Sequence, residues 1–445
     1  MTKAKIGLSD HFTYKKLIRF TLPSIAMMIF TSIYGVVDGY FVSNYVGKTP
    51  FAALNLIWPF IMVMGSIGFM FGTGGSALVA KTMGEGDNKK ANEQFSFLVY
   101  ISIILSVVIS LLAFIFMRPI SILLGAQGEL LTNCVLYGRI LCASIVFFVL
   151  QFEFQSFFVT AEKPKLGLYM TLLCGVANMI LDWLFIAVFD FGLAGAASAT
   201  AISQFIGGIY PLIYFSKKNS SLLKLTKTKF DLWVLYRTCY NGMSELLSNI
   251  SMSLVSMLYN AQLMKYVGEN GVAAYGVLMY VNLIFLSIFI GYCLGTAPIV
   301  SYNYGSQNHD ELKGILKRSI IILTVSSVFM FVLALALSRP LSLLFVGYDE
   351  ELLNLTIRGF FFFSFSFLFA SIPMFGSSFF TALNNGLVSA IISVLRTVIF
   401  QVAFVLILPL FFSVDGIWGS IACAELCALI IALIMFIVNK KKYNY

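Results

Sequence analysis

Two aspartates inside apolar stretches are the residues of this chain best suited to chemistry. Asp38 lies in YGVVDGYFVSNYVG and Asp182 lies in NMILDWLFI. A charged side chain at the centre of a bilayer costs about 2.5–3.5 kcal/mol on insertion scales, which makes each aspartate a candidate functional residue. Asn178 precedes Asp182 by four residues, so the two share one face of a helix. Two carboxylates and an amide at one depth would form an oxygen cage for a shared proton or a hard monovalent cation.

Two further side chains belong to the same predicted site. Thr200, near the start of the following apolar segment, adds a hydroxyl group on the same side of the membrane. Tyr34 precedes Asp38 by one helical turn and shares its face. The alternative for Asp38 is a carboxylate that is merely wetted at the outer interface. The ion stays open between a proton and sodium, whose ligands would be the four oxygen-bearing side chains of the cage.

The segments that position these residues are long, apolar and numerous. Of the 445 residues, 59% are hydrophobic and 11% are charged, whereas a soluble domain has about 25% charged residues. The mean hydropathy of +0.91 excludes a soluble enzyme, a disordered chain and a coiled coil. We therefore predict an all-α polytopic membrane protein, because a spanning helix needs about 20 apolar residues. Twelve such segments lie near residues 17–42, 52–80, 95–117, 131–159, 166–188, 193–215, 232–262, 272–303, 315–337, 352–380, 387–411 and 416–438.

The chain also repeats itself at an offset of 221 residues. MRPISILL at 117–124 matches SRPLSLLF at 338–345, and Gly84 matches Gly305. Six helices therefore precede six more in the same orientation, and the two sets should be related by an axis along the membrane normal.

This repeat divides the chain into two lobes. We predict an N-terminal six-helix lobe at 1–220, a cytoplasmic linker at 216–229 and a C-terminal six-helix lobe at 230–445. Two lobes around a central cleft are typical of secondary transporters, whose substrates bind between the lobes near the midplane.

Positive charge predicts the orientation. Of the 29 Lys and Arg residues, 22 fall on the side of the N-terminus and 6 on the other side, with Arg396 inside the eleventh segment. Because basic residues favour the cytoplasmic side, we expect a multi-pass protein of the cell (plasma or inner) membrane with both termini in the cytoplasm. This orientation accounts for the net charge of +9, so we expect no nucleic-acid partner.

The second lobe does not repeat the oxygen cage. The offset aligns Asp38 with Tyr259 and Asp182 with Ala403. Since the shared fold does not require the cage, its presence in one lobe favours a functional role.

The second lobe carries acids of its own. Glu245 lies in the seventh segment and Glu425 in the twelfth. Either could attract a cationic drug or carry a proton. The alternative is an internal pair, for example with Arg396.

The fourth segment is rich in aromatic residues that could line an adaptable apolar cavity. Phe152 and Gln155 are the candidate substrate contacts there, although packing explains most phenylalanines in a chain with 44 of them. Glu153 lies nearer the cytoplasmic end, and we expect it to be solvated.

The histidines and cysteines of the sequence are not spaced as a catalytic set or a metal site requires. His11 and His309 both fall in cytoplasmic segments, and the seven cysteines form no CxxC pair. A zinc site, a disulfide framework and a catalytic set are therefore not expected. We predict no cofactor and no enzymatic activity.

Together these motifs resemble the MATE transporters, the multidrug and toxic compound extrusion family. The similarity rests on the two aspartate motifs above and on three further stretches, AEKPKLGLYMTLLCGVANMILD, GLAGAASATAIS and FGTGGSALVAKTMGEGDNKKAN. It covers nearly the whole chain and is greatest for the MepA-like prokaryotic branch, beside the DinF-like group.

The resemblance implies a proton- or sodium-coupled antiporter that exports organic cations and amphiphilic drugs by alternating access, an activity linked to antibiotic resistance. It implies that the first-lobe cage is the cation site, that Tyr34 is its associated aromatic residue and that Pro23 is the bending proline of the first helix. Two departures stand out. Ser244 occupies the repeat position of Pro23, and Glu245 resembles an acid that only some members carry.

A flippase for a lipid-linked precursor, from the wider superfamily, is the alternative. It would need a cationic cavity for a pyrophosphate group, but Arg396 is the only Lys or Arg placed deep in a predicted helix. The expected partners are small organic cations and membrane lipid. Because one chain holds both lobes, we expect a monomer.

Overall fold

Long helices make up the computed structural model, which describes residues 6–347 and 349–445. The first half of the chain forms six of them, in the order expected from the apolar segments. They are α1 Tyr14–Phe41, α2 Lys48–Gly84, α3 Asn88–Leu123, α4 Gly128–Thr160, α5 Pro164–Val188 and α6 Gly192–Ser216.

The second half repeats this arrangement. Its helices are α7 Leu232–Tyr266, α8 Glu269–Gly305, α9 His309–Val346, α10 Glu350–Ala382, α11 Gly386–Ile407 and α12 Pro409–Tyr443. The twelve-helix, two-lobe fold class is confirmed. We call the face where α1 begins and α12 ends the terminal face, and the opposite face the distal face.

Eleven of these helices are long and apolar enough to cross a membrane. The exception within the described chain is α7, which carries polar side chains such as Arg237, Asn241 and Glu245 along its first half. Large apolar side chains on other helices are exposed to the surroundings, among them Ile115 and Ile437. Such a surface suits lipid, because exposed apolar patches of this extent are rare on soluble monomers.

Several helices contain π-helical turns. The last six residues of α5, Trp183–Val188, are wound this way and begin directly after Asp182. A second π-helical segment in α11, Leu395–Ile399, contains Arg396. Widened turns of this kind often occur at functional sites, because they displace side chains from the regular helical faces.

The connections α2–α3 and α8–α9 have the same local structure. Gly86 and Gln307 both adopt positive φ values, of 89° and 57°. The next residues, Asp87 and Asn308, cap the following helices through their side-chain oxygens, as Asp and Asn commonly do. The members of each pair are 221 residues apart, so the sequence repeat is also a repeat of backbone structure.

The lobes meet at glycines near the terminal face. A Cβ atom on Gly84 would overlap the carbonyl oxygen of Tyr302, and one on Gly305 would overlap that of Lys81. Gly84 and Gly305 are separated by 221 residues, as are Lys81 and Tyr302. The contact between α2 and α8 is therefore symmetric about the axis that relates the two lobes.

Deeper in the molecule the same symmetry continues. Gly74 of α2 lies against the backbone of Thr238 and Gly242 in α7, and Gly295 of α8 lies against Thr21 of α1. Thr21 and Gly242 are again repeat equivalents. We call these contacts, with the one at Gly84 and Gly305, the glycine seam; at 1.5 Å per residue it extends about 15 Å from the terminal face.

Buried apolar side chains follow the same division. One cluster includes Leu8, Leu78 and Leu312 and joins the second lobe to the terminal half of the first. A separate cluster, which includes Ile57 and Ile145, fills the distal half of the first lobe. The lobes thus share their apolar packing on the terminal side.

The segment before α1 lies across both lobes. Leu8 donates its N–H to Glu162 Oε1 of the first lobe at 2.8 Å, and its carbonyl oxygen accepts from Asn303 Nδ2 of the second at 3.4 Å. Phe12 donates its N–H to Glu311 Oε1 at 2.9 Å, and His11 Nδ1 lies 2.6 Å from Glu311 Oε2. We call residues 6–13 the amino-terminal strap.

Candidate cation-binding site

The carboxyl groups of Asp38 and Asp182 lie within hydrogen-bonding range of each other. Asp38 extends from α1, and Asp182 is the last residue of α5 before its π-helical turns. The side chain of Asp182 is fully buried. Asp38 Oδ1 and both Asp182 carboxyl oxygens receive no hydrogen bond from the described residues. Such a pair requires a proton or a cation between its members, since two bare carboxylates repel.

Asn178 on α5 and Thr200 on α6 are buried in the same lobe as this pair. Asn178 lies one turn before Asp182, and Thr200 lies on α6, which packs against α5. Asn178 Nδ2 and Thr200 Oγ1 are both buried without a hydrogen-bond partner. Of the fifteen such atoms in the described residues, five belong to Asp38, Asn178, Asp182 and Thr200. Because native structures leave few buried polar groups unpaired, this concentration indicates a place for a ligand.

Two tyrosines adjoin the carboxyl pair. Tyr34, one turn before Asp38 on α1, interacts with the side chain of Gln151. Tyr137 on α4 is fully buried, its hydroxyl group has no partner among the described residues, and it interacts electrostatically with both aspartates.

The sequence analysis missed Tyr137. The only available signal was the repeat offset, which aligns Tyr137 with Arg358 and so gives both lobes a polar residue at this place in an apolar helix.

The chemistry of these groups suits two occupants. One proton shared by Asp38 and Asp182 would satisfy both carboxyl groups. A sodium ion would instead take carboxylate oxygens together with the amide oxygen of Asn178 and the hydroxyl of Thr200, since hard cations prefer oxygen ligands. Within the described residues, no group of three or more His, Cys, Asp or Glu side chains could hold a metal ion.

Pro23 lies within α1, two residues from the glycine seam at Thr21. Its ring removes one backbone N–H group, which leaves the carbonyl oxygen four residues earlier without its helical partner. The helix nevertheless continues from Tyr14 to Phe41, and Pro23 itself is buried. Its role in bending α1 stays a prediction.

The prediction for Glu153 was wrong, because this residue is fully buried rather than solvated. Every residue of α4 from Phe148 to Thr160 is buried. Ser102 donates its hydroxyl to Glu153 Oε2 at 2.5 Å, and Glu153 Oε1 has no partner among the described residues. Hydropathy gives the depth of a residue along a helix, but it does not show which neighbouring helices cover that residue.

The candidate substrate contacts on α4 both point into the first lobe. Phe152 stacks on Phe69 of α2 with 3.9 Å between the ring centroids. Both amide atoms of Gln155 are buried without a partner in the described chain, beside a small cavity of about 10 Å³ that is also lined by Gln151 and Thr171. Whether Phe152 and Gln155 touch a substrate stays a prediction.

The second lobe contains an ion pair midway along α11 and α12. Arg396 Nε lies 2.8 Å from Glu425 Oε2 and 3.0 Å from Glu425 Oε1. The internal pairing that the sequence left open for Glu425 is therefore present. Glu245 on α7 is partly buried and interacts electrostatically with Arg396.

Twelve helices in two repeated lobes, with an unpartnered carboxyl pair in one lobe, define a polytopic transporter-like membrane protein. The MatE family model matches residues 23–184 and again residues 246–407. The chain belongs to the MatE family, as its motifs indicated.

Similar proteins and solved structures agree with this family. The chain is 26% identical over 447 residues to the multidrug export protein MepA of Staphylococcus saprophyticus, and the match covers 96% of this chain and 94% of that protein. It is also 26% identical over 437 residues to MepA of Staphylococcus aureus, with the same coverage.

Among solved structures, a MATE protein in complex with MaL6 superposes over 100% of both chains with a TM-score of 0.94 at 22% identity. An outward-facing multidrug resistance MATE family transporter of the MOP superfamily superposes with a TM-score of 0.91 at 22% identity, over 100% of this chain and 99% of the other. These two likenesses support the fold.

Proposed function

We propose that this protein is a cation-coupled multidrug efflux antiporter that exports organic cations and amphiphilic drugs by alternating access. The observation that carries the proposal is the contact between Asp38 and Asp182, whose buried oxygens lack donors among the described residues. The MepA relatives, which are multidrug export proteins, support the same activity.

The carboxyl pair supplies the coupling. Two ionised carboxylates about 4 Å apart repel by about 4 kcal/mol at an effective dielectric constant of 20. A proton or sodium ion removes this repulsion and draws Asp38 of α1 toward Asp182 of α5. Cation binding therefore favours the conformation in which the two helices are close, and an ion gradient shifts the equilibrium by its difference in affinity for the two conformations.

The closed side of the molecule completes the cycle. We assign the terminal face to the cytoplasm of a cell membrane, because basic residues concentrate there. With the glycine seam closed on that face, the lobes form an outward-facing state. Cation entry at Asp38 and Asp182 from outside would then accompany drug release.

The test is transport by the purified protein in liposomes. A fluorescent organic cation is followed while a proton gradient and a sodium gradient are imposed separately. We expect uptake under at least one gradient, and we expect Asp38→Asn to reduce it at least about tenfold, since the variant can no longer ionise at this position. The ion that drives uptake is the coupling ion.

Asp190→Asn is the matched control. Asp190 is an exposed aspartate with φ of 54°, a conformation that asparagine adopts readily. Its variant should transport like the wild type. Full gradient-driven transport by Asp38→Asn would refute the assigned coupling site. Failure of the wild type under both gradients would refute export of organic cations, and lipid-linked sugars would be tested next.

A further inference from the structure

A surface groove of about 760 Å³ lies on the first lobe, a volume typical of ligand sites. α4 contributes most of its lining and packs against α3 on one side and α6 on the other. Its walls are mainly apolar, and Phe114, Leu136 and Ile202 are exposed along it. Exposed apolar surface on membrane-spanning helices faces lipid. The groove therefore opens toward the acyl chains of the bilayer.

Arg139 of α4 is the charged residue that lines this groove. Its guanidinium lies over the ring of Phe114 on α3, with 5.3 Å between Cζ and the ring centroid. No Asp or Glu of the described residues forms an ion pair with it. Along this face of α4 the nearest acid is Glu129, ten residues earlier and about 15 Å away. A cation without a counter-charge in an apolar groove favours an anionic ligand.

The depth of Arg139 corresponds to the boundary of the leaflet on the distal face. α4 has 33 residues and is therefore about 50 Å long, whereas the hydrocarbon core is about 30 Å thick. About 10 Å of a centred helix thus extends beyond the core at each end. Arg139 lies about 16 Å from the distal end of α4, or about 6 Å inside the core boundary. Arginine side chains at such a depth extend toward the interface, where the phospholipid phosphates lie.

A phosphodiester is the anion that this interface supplies. The N–H groups of a guanidinium match two phosphate oxygens, and such charge-assisted hydrogen bonds are about twice as strong as neutral ones. The apolar walls beside Arg139 suit the acyl chain attached to the same phosphate. Arg118 is exposed one turn beyond Phe114 on α3 and adds positive charge on the same helical face,. This charge favours an anionic headgroup over a zwitterionic one.

We propose that this groove binds an anionic phospholipid of the distal leaflet, with one acyl chain along α4 and the phosphodiester on Arg139. The repeat equivalent of Arg139 is Phe360, which is buried, so the site belongs to the first lobe alone. Tyr137, which adjoins the carboxyl pair, lies on the opposite side of α4, because two residues turn a helix by about 200°. The lipid thus packs behind the candidate cation site, and the proposal does not depend on the efflux function.

Native mass spectrometry of the purified protein in detergent resolves the binding of single lipid molecules. The probe is dioleoylphosphatidylglycerol, and monoglucosyl dioleoylglycerol has the same chains without the phosphate. We expect the wild type to bind one phosphatidylglycerol at least about tenfold more tightly than the glycolipid, or about 1.4 kcal/mol. Excess glycerol phosphate should not displace it, since a free phosphate lacks the acyl chain.

Arg139→Gln removes the phosphate contact. We expect it to raise the Kd of phosphatidylglycerol at least about tenfold and to leave the Kd of the glycolipid within about twofold. Arg339→Gln is the matched control, because Arg339 of α9 is exposed near the distal face of the second lobe and has no ion pair with the described residues. The control removes the same charge away from the groove and should change neither Kd.

Ala201→Phe tests the groove itself, because Ala201 of α6 lines it. The larger side chain should raise the Kd of both lipids at least about fivefold, whereas Ala336→Phe on the exposed surface of α9 should not. Equal effects of Arg139→Gln and Arg339→Gln would show a general attraction to positive charge. A wild type without preference for phosphatidylglycerol, displacement by glycerol phosphate, or full lipid binding by Ala201→Phe would also overturn the inference.

Discussion

Replacing a glycine of the seam with alanine tests whether lobe contact controls the conformation. A Cβ atom on Gly84 would overlap the Tyr302 carbonyl oxygen, and one on Gly305 would overlap that of Lys81. Non-bonded heavy atoms settle about 3.5 Å apart, so α2 and α8 would have to separate by roughly 1 Å. Neither obstacle is the end of a flexible side chain, because both are backbone.

The magnitude follows from the cost of overpacking. An extra methyl group in a well-packed interface costs about 1–3 kcal/mol. The cost applies only while the seam is closed, so it should shift the equilibrium toward the state with an open terminal face by about 5- to 150-fold. Gly276→Ala is the matched control, since α8 has nothing within 4 Å of a Cβ atom at that position.

The assay is a distance measurement between two spin labels on the terminal face, one in each lobe. Lys90→Cys on α3 is paired with Lys313→Cys on α9, and both lysines are exposed. We expect Gly84→Ala and Gly305→Ala each to increase the population with the longer separation. The native cysteines are replaced beforehand, so that only the two introduced thiols carry labels.

The double variant Gly84→Ala/Gly305→Ala is the most stringent test of whether the glycine seam sets the conformational equilibrium. Because Gly84 and Gly305 oppose each other at one crossing, a single separation relieves both overlaps. The effects of the two substitutions should therefore be far from additive. Fully additive shifts, or distance distributions equal to that of Gly276→Ala, would show that the seam does not set the equilibrium.

Two other substitutions have expected outcomes. Glu153→Gln should barely change the thermal midpoint, since a buried carboxyl without a counter-charge is most stable as the neutral acid. Glu153→Ala instead removes the Ser102 hydrogen bond and leaves a cavity, which should cost about 2–4 kcal/mol; equal losses would contradict this. Glu311→Ala removes the acceptor of the Phe12 N–H and should speed deuterium uptake in residues 6–13 about tenfold, whereas the exposed Asp310→Ala should not; equal uptake in both variants would contradict a role for the strap contact.

Residue spacing predicted the part of the site that lies along single helices. Asn178 and Asp182 share a helical face because they are four residues apart, and Tyr34 and Asp38 do so for the same reason. The approach of Asp38 to Asp182 followed from equal depth in neighbouring helices of one lobe. Depth and periodicity are properties of the local sequence, so these relations could be predicted.

Relations across helices were harder to predict. Tyr137 gave no signal of its own, because its place beside the carboxyl pair depends on how the helices of the first lobe pack together. Glu153 was assigned to solvent on depth alone, although neighbouring helices cover it. The repeat identified Gly84 and Gly305 as equivalents but did not show that they touch, since an internal repeat does not specify where its symmetry axis passes.

The amino-terminal strap makes α1 a mechanical link between the lobes. α1 belongs to the first lobe, yet the residues just before it are fastened to Glu311 and Asn303 of the second. In the proposed cycle the lobes part at the terminal face, and then either these hydrogen bonds break or tension passes along α1. That tension would act on α1, which contains Pro23 and Asp38. A movement of the second lobe would then pull on the helix that carries Asp38 of the first lobe.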